Sequence, residues 1–185
     1  MKTMVEKYLY CLLFVAMGVF TSCNEIEIPN HSLDVEFTYE LICSEGVLKY
    51  VTPEVTITDV TGTKRTITIE NGMWDGNDHK TWTFTVLYDS LNVSNTAMVK
   101  YIPKAGVIYQ DETAFDNVHN LSCIISVKED GDGRRNNYTI VPDFPSKTNV
   151  KADVLKDYFE RLCKSSSVRG GSVDLKGEIV LIEKD

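Results

Sequence analysis

The segment DVEFTYELICS, from Asp34 to Ser44, alternates almost strictly. Val35, Phe37, Tyr39, Leu41 and Cys43 fall on one side, with Glu36, Thr38, Glu40 and Ser44 on the other; Ile42 is the one breach. Successive side chains of a β-strand point to opposite faces, so this pattern specifies a half-buried strand. It excludes a helix, whose apolar positions recur every three or four residues.

The same reading extends along the chain. PEVTITDVTGTKRTITIENG is a hairpin, with Val55 and Ile57 in one arm, Ile67 and Ile69 in the other and Gly62 in the turn. In TWTFTVLYDSL, Trp82, Phe84, Val86 and Tyr88 alternate with Thr81, Thr83 and Thr85. NTAMVKYIPKAG places Met98 or Val99 with Tyr101 in a strand ended by Pro103 and Gly106. A second hairpin follows in LSCIISVKEDGDGRRNNYTIVPDF: Leu121, Cys123, Ile125 and Val127 occupy its first arm, Tyr138 to Val141 its second, and a turn rich in Gly and Asp separates them.

The one helix signal lies at about residues 150–163. Val150, Val154, Tyr158 and Leu162, flanked by Leu155 and Phe159, form a broad apolar stripe; Asn149 caps the start, and Asp157 with Arg161 and Glu160 with Lys164 have ion-pair spacing. SSSVRGGS reads as a flexible connection, and the run Ile179 to Ile182 as a strand buried on both sides. About seven or eight strands and one late helix specify a mainly β chain. The expected architecture is an antiparallel, immunoglobulin-like β-sandwich with one C-terminal amphipathic helix. Cys43, Trp82 and Cys123 come in the immunoglobulin order but are spaced too widely for its disulfide.

Ahead of this domain, MKTMVEKY carries Lys2 and Lys7, LYCLLFVAMGVF is apolar, and the small pair Thr21-Ser22 leads to Cys23. This is the three-part plan of a secretory signal peptide, and its apolar run is short of the ~20 residues that cross a membrane. The chain therefore divides into a signal peptide (1–22), a tether (23–33) and one domain (34–185). FTSC at Phe20–Cys23 resembles the lipobox of bacterial lipoproteins, which implies acylation of Cys23. Such an anchor needs more than one acyl chain, each buried methylene contributing ~0.8 kcal/mol. The acidic stretch NEIEIPNHS, with Glu25 and Glu27, is similar to the export signal of Bacteroides-type lipoproteins destined for the outer-membrane surface. The patterning of Asp34 to Gly106 resembles small Bacteroides-group envelope lipoproteins whose domain has no assigned activity. These resemblances imply an outer-membrane protein, lipid-anchored and exposed at the cell surface, and say nothing of catalysis. Asp89-Ser90-Leu91 resembles the three-residue O-glycosylation signal of the same exported proteins, with Ser90 as acceptor.

The 163 residues from Cys23 carry 17 basic and 26 acidic side chains, net −9, which makes nucleic acid a poor partner. Cys43 and Cys123 both fall on apolar strand faces, as a disulfide or as two buried thiols, with Cys163 left over. No Cys/His spacing suggests a metal, and no cofactor motif is present. His31, His79 and His119 lack the spacing of HExxH, and GxSxG is absent. His79 beside Asp75 and Asp78 is the best metal candidate, though loop polarity accounts for it equally well. Asp130 and Asp132 resemble a calcium loop only superficially, because Arg134 and Arg135 occupy ligand positions; a hairpin tip accounts for them better.

Two readings of function remain. In the first, the sandwich is a non-catalytic envelope module whose loops bind a glycan or a surface protein, with Trp74 and Tyr109 as the loop aromatics suited to a sugar ring. In the second, it is a carbohydrate-active hydrolase using two of Asp75, Asp78, Asp111 and Glu112.

Overall fold

In the computed structural model, Asp34–Cys43 forms β1, and its five odd-numbered side chains are buried while the even face stays half-buried or exposed. The remaining strands are β2 (Val51–Thr58), β3 (Lys64–Thr68), β4 (Lys80–Tyr88), β5 (Val93–Pro103), β6 (Glu112–Phe115), β7 (His119–Glu129), β8 (Asp132–Tyr138), β9 (Lys147–Val150), β10 (Ser166–Val173) and β11 (Ile179–Lys184). Two helices interrupt them: α1 (Glu45–Leu48) and α2 (Ala152–Leu162). The structure describes residues 34–76, 79–129, 132–138 and 147–185, which belong to the compact unit Ser32–Asp185. Cys23 and the tether, His31, Asp78, Asp130 and residues 139–141 of the second hairpin lie outside the described residues.

Two antiparallel sheets face one another, ordered β4-β1-β7-β8 and β11-β10-β5-β2-β3, and a two-stranded ribbon pairs β6 with β9. The series β3-β2-β5-β10 and β4-β1-β7 reproduce the C′-C-F-G and E-B-A neighbours of an immunoglobulin sandwich, with β7 in the place of strand A. The core between them holds Phe37, Tyr39, Leu41, Val55, Ile57, Val99, Tyr101, Leu121 and Ile125. A polar link crosses it: Tyr39 donates to Asn95 Oδ1 at 2.7 Å, and Asn95 Nδ2 donates to the Thr58 carbonyl at 2.6 Å and the Tyr88 hydroxyl oxygen at 2.8 Å.

The two thiols are free. Cys43 pairs in register with His119, so Cys123 stands four residues further along the neighbouring strand. That offset is ~13 Å, well beyond disulfide reach. Burial pushes both thiols up to about 12, with Cys43 hydrogen-bonded to Tyr101 and Cys123 to Tyr39.

Four elements depart from the sequence reading. Val150, expected at the start of the helix, ends β9, and α2 begins at Ala152. SSSVRGGS is no connection: Ser166–Val173 is β10, bonded on both sides by β5 and β11. Its glycines mark close approach, since a Cβ on Gly170 would lie 2.1 Å from the Asn95 carbonyl oxygen, and one on Gly171 would lie 2.6 Å from Ile125 Cδ1. The run Ile179 to Ile182 lies at a sheet edge with Val180, Leu181 and Ile182 exposed, rather than buried on both sides. The second hairpin is tighter than expected, with Glu129 opposite Asp132 and Gly133 to Asn136 within β8.

Candidate functional site

One end of the sandwich is closed by α1, the β6–β9 ribbon and α2. Phe159 of α2 packs on Tyr50 at 4.8 Å between ring centroids and on Phe115 at 5.9 Å, and Tyr109 stacks on Tyr50 at 5.1 Å. The stripe expected on α2 is wider than this packing uses. Leu155, Phe159 and Leu162 are buried, whereas Val154 is exposed and Tyr158 half-buried. Val154 and Tyr158 instead line a cavity of about 500 Å³, shared with Phe115, Asn117, His119 and Val150, with Lys147 and Arg161 also in its wall.

The helix start is secured from a distance. Asn149 is not its cap; Lys151 holds that position without a side-chain bond, and Asp111 accepts the Ala152 N–H at 3.0 Å and the Lys151 ammonium at 2.6 Å. Along the exposed face Asp157 pairs with Arg161 at 3.0 Å, and Glu160 has Lys156 as its neighbour at 3.9 Å.

The floor of the cavity is the link between β6 and β7, and α1 clamps it. Ser44 caps α1 through Val47 N–H, donates its hydroxyl to the Asp116 carbonyl at 2.6 Å, and donates its N–H to the Val118 carbonyl at 2.8 Å. Gly46 permits that approach, since a Cβ there would meet the Asp116 carbonyl oxygen at 2.4 Å. Asp116 accepts Val118 N–H at 3.2 Å and lies 3.1 Å from His79 Nε2. Held from both sides, Asn117 is 2 % exposed, and its Oδ1 has no hydrogen-bond partner.

His119 stands beside it. Its Nδ1 is 2.9 Å from the Asn117 carbonyl, which can only accept, so Nδ1 carries the hydrogen. The Tyr158 oxygen lies 3.3 Å from the same nitrogen and can only accept there, which leaves the Tyr158 hydrogen for another acceptor. Burial holds the His119 pKa below its ordinary value against the pull of the Asn117 carbonyl, and burial raises that of Tyr158, so both are neutral at pH 7. The cavity thus sets a donor, the Tyr158 hydroxyl, within largely apolar walls, while Asn117 Oδ1 lies buried and unpaired in the link between β6 and β7.

The residues singled out from sequence are spread over the domain. Trp74 is half-buried and lines a different cleft, about 460 Å³, with Val51, Ile69, Glu70 and Lys104; Tyr109 is not among the residues of that cleft. Ser90 is exposed in the tight link between β4 and β5. Asp75 is exposed, and its backbone bridges to Thr81. Glu112 accepts from the Lys49 ammonium and, at 2.7 Å, from the Tyr50 hydroxyl. Lys49 holds Glu112, and Lys151 holds Asp111, below the usual carboxylate range, whereas a general acid needs its pKa raised. Among the described residues no three His, Cys, Asp or Glu side chains gather to hold a metal, and His79 faces Asp116 rather than Asp75. Asn117 escaped the sequence reading because nothing local marks it; the surplus apolar width of α2 was the available signal. No family model, no curated protein and no solved structure proved similar to the chain.

Proposed function

We propose that this chain is a non-catalytic, lipid-anchored module of the bacterial cell envelope, held in the outer membrane through Cys23 and displayed at the surface, with its ligand site in the cavity beside α2. The Tyr158 hydroxyl carries the binding half of this reading: its hydrogen is not taken by His119, so it offers a donor to a ligand oxygen in the cavity wall. Val154, Val150 and Phe115 present apolar surface beside it. A sugar ring, apolar on its faces and hydroxylated on its rim, matches that arrangement, so the ligand is a glycan. The concave, ligand-sized shape favours it over a protein partner. The non-catalytic half is supported by Asp111 and Glu112, which are engaged with lysines. The anchoring half rests on the lipobox resemblance.

Saturation-transfer NMR of the full chain against a panel of mono- and disaccharides tests the site. At least one sugar is expected to bind, with Tyr158→Phe lowering its affinity about tenfold, the equivalent of ~1.4 kcal/mol. Binding indifferent to both Tyr158→Phe and Val154→Asp would place the site elsewhere, and no transfer to any sugar would end the glycan reading. Labelling with a palmitate analogue, lost in Cys23→Ala, together with protease shaving of intact cells, tests the anchor and its display.

A further inference from the structure

From Cys23 onward the chain carries 26 acidic and 17 basic side chains. The cavity beside α2 departs from that balance. Among the described residues no Asp or Glu lines it, whereas Lys147 and Arg161 both do. His119, neutral at pH 7, adds no charge.

The β6–β9 ribbon sets the position of Lys147. It pairs in register with Phe115, and side chains directly opposite one another share a face of an antiparallel pair. Phe115 lines the cavity, so Lys147 stands on the cavity side of the ribbon. It has no carboxylate partner among the described residues, and an ammonium offers three donors and no acceptor. Arg161 enters the wall from α2 with its orientation fixed. Its Nη2 pairs with Asp157 at 3.0 Å and its Nε donates to the Asp157 carbonyl at 3.4 Å, which leaves Nη1 unbonded among the described residues. Asp157 also offsets the guanidinium charge, so the uncompensated positive charge of the wall is that of Lys147.

What the described wall lacks is a strong acceptor. Ser165, which gives its hydrogen to the Leu162 carbonyl at 2.9 Å, has a neutral oxygen to offer, and no carboxylate stands with it. A neutral sugar presents hydroxyl hydrogens that need acceptors, whereas a carboxylate takes donors alone. We propose that the ligand of this cavity is an acidic sugar, a uronic acid, whose carboxylate is held by Lys147 with Arg161 Nη1 as a further donor in the same wall. Its ring lies on the apolar surface, and one of its oxygens accepts from Tyr158. This deepens the glycan reading of the site and rests on it. One uncompensated cation matches the single charge of a carboxylate better than the nearly double charge of a phosphate.

Saturation-transfer titration of the full chain with glucuronate, galacturonate, glucose and galactose tests the preference. At least one uronate is expected to bind about tenfold more tightly than its neutral counterpart at low salt, since a charge-assisted bond is roughly twice as strong as a neutral one. That advantage is expected to shrink severalfold at about 0.15 M salt. Lys147→Gln is expected to bring the ratio of the two affinities close to one. Lys147 is exposed, so this change spares the core. Tyr158→Phe is expected to weaken both sugars in proportion and keep the ratio. A neutral sugar bound as tightly as its uronate would overturn the proposal and leave the glycan reading standing, and no binding of any sugar would end both. A uronate preference unchanged in Lys147→Gln would also overturn it, because the charge would then be read elsewhere.

Discussion

His119 shows how burial of one side chain makes stability depend on pH. Its pKa lies below the ordinary ~6.5 because the folded chain resists charging it. As pH falls, the unfolded chain takes up this proton first, so it binds more protons across the interval between the two pKa values. Stability therefore rises with pH there, and the His119 contribution is lost as pH drops below about 6.5. Thermal melts from about pH 7 to 5.5 are expected to show a falling Tm, with a visibly shallower fall in His119→Asn. Asp59, Asp111, Glu112 and Asp185 act in a separate and lower window. Their pKa values are depressed by hydrogen bonds and cations, so their contribution is present above the unfolded carboxylate range and lost below it, under about pH 4.5. The histidine slope and the carboxylate slope are thus separable in one titration.

At the scale of elements, alternation made β1, β2, β4 and the first arm of the second hairpin legible, because each has one wet face. The pattern is silent where neighbours rather than water decide the residue. β10 reads as a linker because its Gly170 and Gly171 stand where β5 and β7 approach it most closely. β11 reads as buried because four apolar residues in a row look the same at an edge as at a centre. The cap of α2 comes from Asp111, forty-one residues before Ala152, and Asn117 is buried by contacts of α1 with the Asp116–Val118 link. None of these facts is local, so no window of sequence holds them. Gly171→Ala measures the point directly. If this glycine were a linker residue, the added methyl would be harmless or mildly stabilising. Against Ile125 Cδ1 and the Val180 carbonyl oxygen, each 2.6 Å from the new carbon, it is expected to cost about 1–3 kcal/mol in urea unfolding.

For the molecule as a whole, the centre of each sheet is assembled from distant parts of the chain. β1 gains its second neighbour only from β7, and β5 gains its second neighbour only from β10. A chain stopped after Leu162 lacks β10 and β11, so it leaves β5 as an open edge and Ile125 without the backbone that packs on it. Such a truncation is expected to lose the cooperative urea transition of the full chain, whereas removal of Asp185 alone is expected to keep it. Placing β7 in the position that an immunoglobulin sandwich gives to its first strand also sets a clock. In an immunoglobulin domain the outer neighbour of strand B is made before it; here it is made long after, so during synthesis β1 waits unpaired on that side while about seventy-five further residues follow it. The sheet centred on β1 therefore cannot close until β7 has been made, and the sheet centred on β5 must wait further still, for β10.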